Sequence, residues 1–148
     1  MKNKYFTYIK LSKYYRLRQN NGKEEHMKSW TSKQLKLFNE ISAIQNRPYN
    51  DDGVSFQDNP IWVVVNDKQV YLRGGKGTDS KWYQAGIKNG GEIEVAGQTF
   101  KIKYVPVDNE SEIAAVTVAY NQKYHGQYPI DMMVSDKVAH ATVRLELR

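Results

Sequence analysis

Pro60-Ile-Trp-Val-Val-Val-Asn-Asp-Lys-Gln-Val-Tyr-Leu-Arg-Gly-Gly-Lys-Gly77 is the stretch on which the fold turns. Two short β-rich pieces flank Asn66-Asp67-Lys68, whose Asn/Asp character marks a hairpin turn. The second piece ends in Arg73-Gly74-Gly75-Lys76-Gly77, and a cap at Asp79 or Ser80 then opens a short helix carrying Trp82 and Tyr83. Strand, basic glycine-rich loop and helix start form a unit able to hold an anion on backbone N–H groups and a helix N-terminus. Glycines after a strand also serve simply as turn residues, so the loop alone leaves both readings open.

Outward from this stretch the chain alternates strands and helices without βαβ order. Glu92–Val95 turns at Ala96-Gly97 into a strand from Gln98 to Val107, with Phe100, Ile102, Tyr104 and Pro106 on one face. Asn109 caps a helix with Glu112 three residues on, and Ile113, Val116, Tyr120 and Tyr124 share its face until Gly126 stops it. Pro129 to Ser135 reads as irregular, with Met132 and Met133 covering core, and Val138–Leu147 closes the chain as a strand. On the N-terminal side, Thr31-Ser-Lys-Gln34 is a capping box flanked by Trp30 and Leu35, and apolar spacing predicts a helix to about Gln45, before Arg47-Pro48. Asn46–Asn59 is polar, with an edge strand at Val54–Phe56 at most. Its Asp51, Asp52 and Asp58 do not have EF-hand spacing and read as solvated turn carboxylates. Roughly six strands and three helices with short connections predict an α+β, mainly β fold: a small antiparallel split β-barrel with about three flanking helices.

Composition narrows the function classes. The 148 residues make one domain and contain no cysteine, which excludes disulfide frameworks and thiolate chemistry. Three scattered histidines do not make a metal site, and no apolar run approaches a membrane span. The formal charge of +6 is carried by residues 1–28, where eight Lys/Arg face Glu24 and Glu25, while the rest of the chain is balanced. The body therefore makes no bulk electrostatic case for nucleic acid. Residues 1–28 read as a basic leader, disordered or non-native, with Met27 as the true start, and 29–148 as the folded domain. A cytoplasmic location is expected.

Other constellations carry little chemistry. Tyr120, Lys123, Tyr124 and His125 share a helix face and suggest a Tyr-Lys relay, but an amphipathic helix ending in a lysine explains them. His140, between alanines, reads as a hydrogen-bonded histidine at a sheet surface. No catalytic acid–base pair is identifiable.

The order Ile-Trp-Val-Val-Val, Val-Tyr-Leu-Arg-Gly-Gly-Lys-Gly, Lys-Trp-Tyr-Gln-Ala, Ile-Glu-Val-Ala-Gly, Ala-Tyr-Asn-Gln-Lys-Tyr and Ala-Thr-Val-Arg-Leu resembles the bacterial family DUF2255 from about Trp30 to Arg148. That family is similar to the FMN-binding split-barrel group, near the deazaflavin-dependent nitroreductase-like proteins. The resemblance implies a homodimer with a flavin site between subunits, the cofactor being FMN or alternatively a deazaflavin. It implies a cofactor site made of Arg73, Gly74, Gly75, Lys76, Gly77, Trp82, Tyr83 and Arg47. Arg73 would be the main bidentate phosphate partner, Lys76 and Arg47 auxiliary cations, and Trp82 and Tyr83 ring walls or packing residues. Gln84-Ala85 stands where the nitroreductase-like proteins have His-Asn. The implied activity is that of an oxidoreductase on a small molecule. The alternative is a non-enzymatic binding or interaction module that has lost the cofactor.

Overall fold

The computed structural model describes residues 28–148, so the leader assigned to residues 1–28 and the Met27 start lie, except for exposed Lys28, outside the described residues. Thr31 caps helix α1 (Ser32–Glu40), with both halves of the capping box formed: the Gln34 N–H donates to Thr31 Oγ1, and the Thr31 N–H to Gln34 Oε1. The helix ends at Glu40, short of the expected Gln45. Strand β1 (Ile44–Pro48) follows because Ile44, Asn46 and Pro48 point inward with period two, and β1 occupies the slot between two other strands.

The run from Pro60 to Val65 divides into β2 (Pro60–Ile61) and β3 (Val64–Asn66), separated by Trp62 and Val63. β4 (Gln69–Arg73) pairs with β3 across a two-residue turn in which Asp67 and Lys68 both have positive φ, 49° and 64°. A 3₁₀ turn (Gly77–Asp79) leads through Ser80 into α2 (Lys81–Asn89). Then come β5 (Gly91–Val95), β6 (Gln98–Pro106), α3 (Glu110–Lys123), two short helices α4 (Ile130–Met133) and α5 (Asp136–Ala139), and β7 (Thr142–Leu147). The described residues thus hold seven strands and five α-helices; β1, α4 and α5 go beyond the expected count, and the last strand begins at Thr142 rather than Val138.

The strands form a single sheet, all neighbours antiparallel, in the order β2-β1-β5-β6-β7-β4-β3. Its two edges, β2 and β3, are consecutive in the chain. Three Cα steps from Ile61 to Val64 reach roughly 11 Å, whereas a flat seven-strand sheet would hold its edges roughly 29 Å apart. The sheet therefore curls into a half-barrel, and Trp62-Val63 bridges its seam.

β4 is buried on both faces, so its alternation assigns side chains to two cores. Val70 and Leu72 join Phe38, Ile93, Ile102 and Leu145 in the first, closed by α1 and α2. Tyr71 packs with Val116, Tyr120 and Tyr124 in the second, under α3, α4 and α5. Arg73, two residues after Tyr71, shares its face and is carried under α3. Trp30 seals the first core: it packs edge-on to Phe38 and Phe100, and its Nε1 donates to the Leu145 carbonyl at 3.1 Å.

Candidate functional site

The loop after β4 closes on itself. The Gly77 N–H donates to the Gly74 carbonyl (2.8 Å), the Ser80 N–H to the Gly77 carbonyl (3.1 Å), and the Lys76 N–H to Ser80 Oγ (3.2 Å). A Cβ on Gly74 would stand 2.8 Å from Ser80 Oγ, so this closure requires glycine there. The hydroxyl of Ser80 turns back to the loop and leaves α2 without a side-chain cap.

Over this loop lies an open cavity of about 710 Å³ at the seam of the half-barrel. Trp62 and Ile61 come from the seam, Phe56 from the segment before β2, Gly75 and Lys76 from the loop, and Lys81 and Trp82 from the start of α2. Met133 of α4 and Arg73 contribute to the floor, and Asp79 sets one carboxylate at the rim. Lys76 and Lys81 are exposed, whereas Trp62 and Trp82 are half-buried. Trp82 packs edge-on against Tyr83 and tilted against Tyr104.

Arg73, expected to fork onto a phosphate, has its fork spent on the protein. It is fully buried; Nε donates to Thr142 Oγ1 (2.9 Å), Nη1 to the Met133 carbonyl (3.0 Å), and Nη2 to the Ile113 carbonyl (3.0 Å) and Thr117 Oγ1 (2.8 Å). Its guanidinium also lies over the Tyr120 ring, 5.0 Å from the centroid. Among the described residues no carboxylate pairs with it, and burial pulls its pKa below the usual arginine value. Strand alternation is the reason, since the position that follows Leu72 must face α3. Arg73 therefore underlies the cavity as a buried positive charge and ties together α3, α4 and β7.

Arg47 stands apart from the cavity on β1. Its Nε meets Asp58 at 2.5 Å and its Nη2 meets Glu94 at 2.6 Å, which raises its pKa and leaves it a strut between the 50–59 segment and the sheet. Tyr83 is buried in the first core, where desolvation raises its pKa; it packs the helix and does not wall the cavity. Gly74 and Gly77 are the buried glycines of the loop, and Gly77, with φ at 74°, is covered by Lys137. Of the expected residues, the structure thus brings Gly75, Lys76 and Trp82 to the cavity, with Arg73 below. Phe56, Trp62 and Lys81 were missed. Lys81 sits beside the capping position of α2, which the sequence does mark, but the place of Phe56 and Trp62 depends on how the sheet curls.

The remaining constellations are structural. Lys123 Nζ donates to the carbonyls of Phe38 and Val63, each at 2.7 Å, and burial pushes its pKa down to about 8. Tyr124 donates from its hydroxyl to the Ser42 carbonyl (2.8 Å) and accepts from the Val63 N–H (3.0 Å). Tyr120 is buried against Arg73 and His125 is exposed, so the four residues meet no common reactant. His140 lies just beyond α5 rather than on a strand, bonded to Glu110 and to the Asp136 carbonyl. Asp58 pairs with Arg47 and Asp51 with Lys88. No group of three or more His, Asp or Glu side chains among the described residues is placed to hold a metal ion, and no described helix is long and apolar enough to cross a membrane.

The conserved hypothetical protein Rv2991 from Mycobacterium tuberculosis shares the fold, with a TM-score of 0.57 at 15% identity over 82% of this chain and 81% of that one. A Bacteroides thetaiotaomicron VPI-5482 structure described as a "putative 5-nitroimidazole antibiotic resistance protein" aligns at a TM-score of 0.46 and 13% identity, over 83% of this chain and 84% of that one. No curated protein matches the chain. Residues 34–145 match the uncharacterized proteins conserved in bacteria grouped as DUF2255, from the end of the first capping box to the middle of β7, and the chain belongs to that family.

Proposed function

We propose that the seam cavity holds a flat, anionic cofactor of the flavin type, FMN or alternatively a deazaflavin, and that the protein is a cytoplasmic flavin-dependent oxidoreductase acting on a small molecule. One observation carries this reading: Trp62 and Trp82 line one cavity with Lys76 and Lys81 above a buried guanidinium that has no carboxylate partner among the described residues. Taking a cation out of water is costly unless an opposite charge compensates it. Here the lining carries Arg73, Lys76 and Lys81 against Asp79, so an anion in the cavity would supply the missing charge. The aromatic side chains suit a planar ring at the other end.

The residues present fit such a group. Lys76, Lys81 and the first turn of α2 would hold its phosphate, Trp62, Trp82 and Phe56 would exclude water from its ring, and the ring itself would supply hydride transfer. The family resemblance further supports a homodimer with the cavity completed by a second copy. A second reading follows from Gln84, whose side chain donates to the Thr78 carbonyl (3.1 Å) and so props the loop from below. With Gln84 in that structural role, a cofactor-free small-molecule-binding or interaction module of the same fold is the alternative.

Titration of the purified protein with FMN, followed by desalting and an absorption spectrum, tests the proposal. A retained flavin band and a raised Tm are expected. Protein that stays colourless, with its Tm unmoved by excess FMN or deazaflavin, would overturn the cofactor reading and leave the binding module.

A further inference from the structure

Trp62 is more tightly held than a cavity wall needs to be. It sits on the two-residue seam between β2 and β3, where the sheet ladder supplies no register. Its indole instead lies flat on the Tyr124 ring, with centroids 3.9 Å apart and the planes within 1° of parallel. Tyr124 is itself only 1% exposed and is fixed through its hydroxyl by the Val63 N–H and the Ser42 carbonyl. Lys123, one residue earlier on α3, donates to the Val63 carbonyl and to the Phe38 carbonyl at the end of α1. The residue next to Trp62 is thus gripped at both its N–H and its C=O, by the last side chain of α3 and the one that follows it.

We propose that Trp62 is the face on which the ring of the cavity's anionic ligand stacks, and that Tyr124 and Lys123 are positioning residues that set it. The inference deepens the cofactor reading above and rests on the same cavity. One indole face is committed to Tyr124, and Trp62 also lines the cavity, so a planar ligand entering there extends an existing stack. A rigid aromatic backed by a second ring loses little conformational entropy when a ligand lands on it, which is the condition under which stacking contributes most to affinity.

The test uses FMN and, as a flat anionic probe without flavin chemistry, anilinonaphthalene sulfonate. Indole in van der Waals contact with a photoexcited flavin lends it an electron and takes it back, quenching the emission with no net reaction. Wild-type protein is expected to quench bound FMN strongly. Trp62→Leu should weaken binding of both probes roughly tenfold, equivalent to about 1.4 kcal/mol of stacking, and raise the emission of whatever FMN remains bound to the level that Trp82 alone leaves. Trp62→Phe, which keeps a flat face but not the indole, should recover most of the affinity while the quenching stays reduced. Tyr124→Phe keeps the ring and loses the hydroxyl bonds, and Lys123→Met releases the Val63 carbonyl. Each should spread the single quenched lifetime of bound FMN into several, which a role in stability alone would not do.

Binding of anilinonaphthalene sulfonate that depends on Trp62, with no FMN binding, would overturn the flavin reading and uphold the stacking face. Unchanged affinity and quenching in Trp62→Leu, with near-ultraviolet circular dichroism showing a folded protein, would overturn the inference while leaving the flavin reading intact. Wild-type protein that binds neither probe would overturn both.

Discussion

Arg73 shows how one side chain exchanges an expected role for another. Its four donor contacts reach α3, α4 and β7; the Thr142, Met133 and Ile113 acceptors are buried with it, and Thr117 is half-buried. Lysine keeps the charge but not the planar fork, and its single nitrogen cannot serve the Thr142, Met133 and α3 acceptors together. Arg73→Lys is therefore expected to destabilise the fold by about 3 kcal/mol, read as a lower urea midpoint with an unchanged m value. A loss of ligand affinity at unchanged stability would assign Arg73 to the ligand instead. His140 makes a pH prediction at the same scale. Its bonds to the Asp136 carbonyl and Glu110 carboxylate favour the imidazolium and raise its pKa above the ordinary 6.5. The stabilisation is complete below the unfolded value and is lost as pH rises through the higher folded one. A Tm gap between wild type and His140→Gln should be present at about pH 5.5 and absent by about pH 9. A gap independent of pH would refute the charge-based contact.

Two elements contain glycine swaps of opposite sign. Gly86 lies inside α2, where alanine ordinarily gains about 1 kcal/mol from helix propensity. Here its Cβ would stand 2.7 Å from the ring of Tyr104, which is buried and anchored through its hydroxyl to Asn46. Overpacking against a ring that cannot retreat costs about 1–3 kcal/mol, so Gly86→Ala is expected to lower stability by about 1 kcal/mol net. The β3–β4 turn behaves in the opposite way. Lys68 has φ at 64°, a conformation that costs a non-glycine residue about 1 kcal/mol. Lys68→Gly should raise stability by about 0.5 kcal/mol after the greater entropy of the unfolded glycine is deducted. Thermal unfolding of the two variants checks both signs. The turn, the Thr31 capping box, α3 and the β5–β6 hairpin were all legible beforehand, because each is specified by residues within a few positions of one another. β1 was not legible: Ile44-Gln-Asn-Arg-Pro48 has no strong strand propensity, and it is extended because β2 and β5 flank it.

At the scale of the whole molecule, charge and curvature decide what the cavity can take. Residues 29–148 carry equal numbers of acidic and basic side chains, so attraction of an anion must come from local groups rather than from the overall field. The affinity for FMN is expected to fall with ionic strength in wild type and to lose most of that dependence in Lys76→Gln/Lys81→Gln, with Tm unchanged because both lysines are exposed. A salt dependence that survives the double substitution would place the anion elsewhere. The identity of the local pieces, meaning the strand ending in Arg73, the glycine loop, the helix start at Ser80 and the alternation of Phe100, Ile102 and Tyr104, was determined by the sequence alone, since each depends on short-range periodicity and capping. Tertiary structure alone decided that Pro60–Val65 would split across a seam, that Arg73 would turn under α3, that Arg47 would brace Asp58 and Glu94, and that Trp62 and Trp82 would line one cavity. Those outcomes follow from the curl of a seven-strand sheet whose edges are joined by two residues, a constraint that no window of the sequence contains.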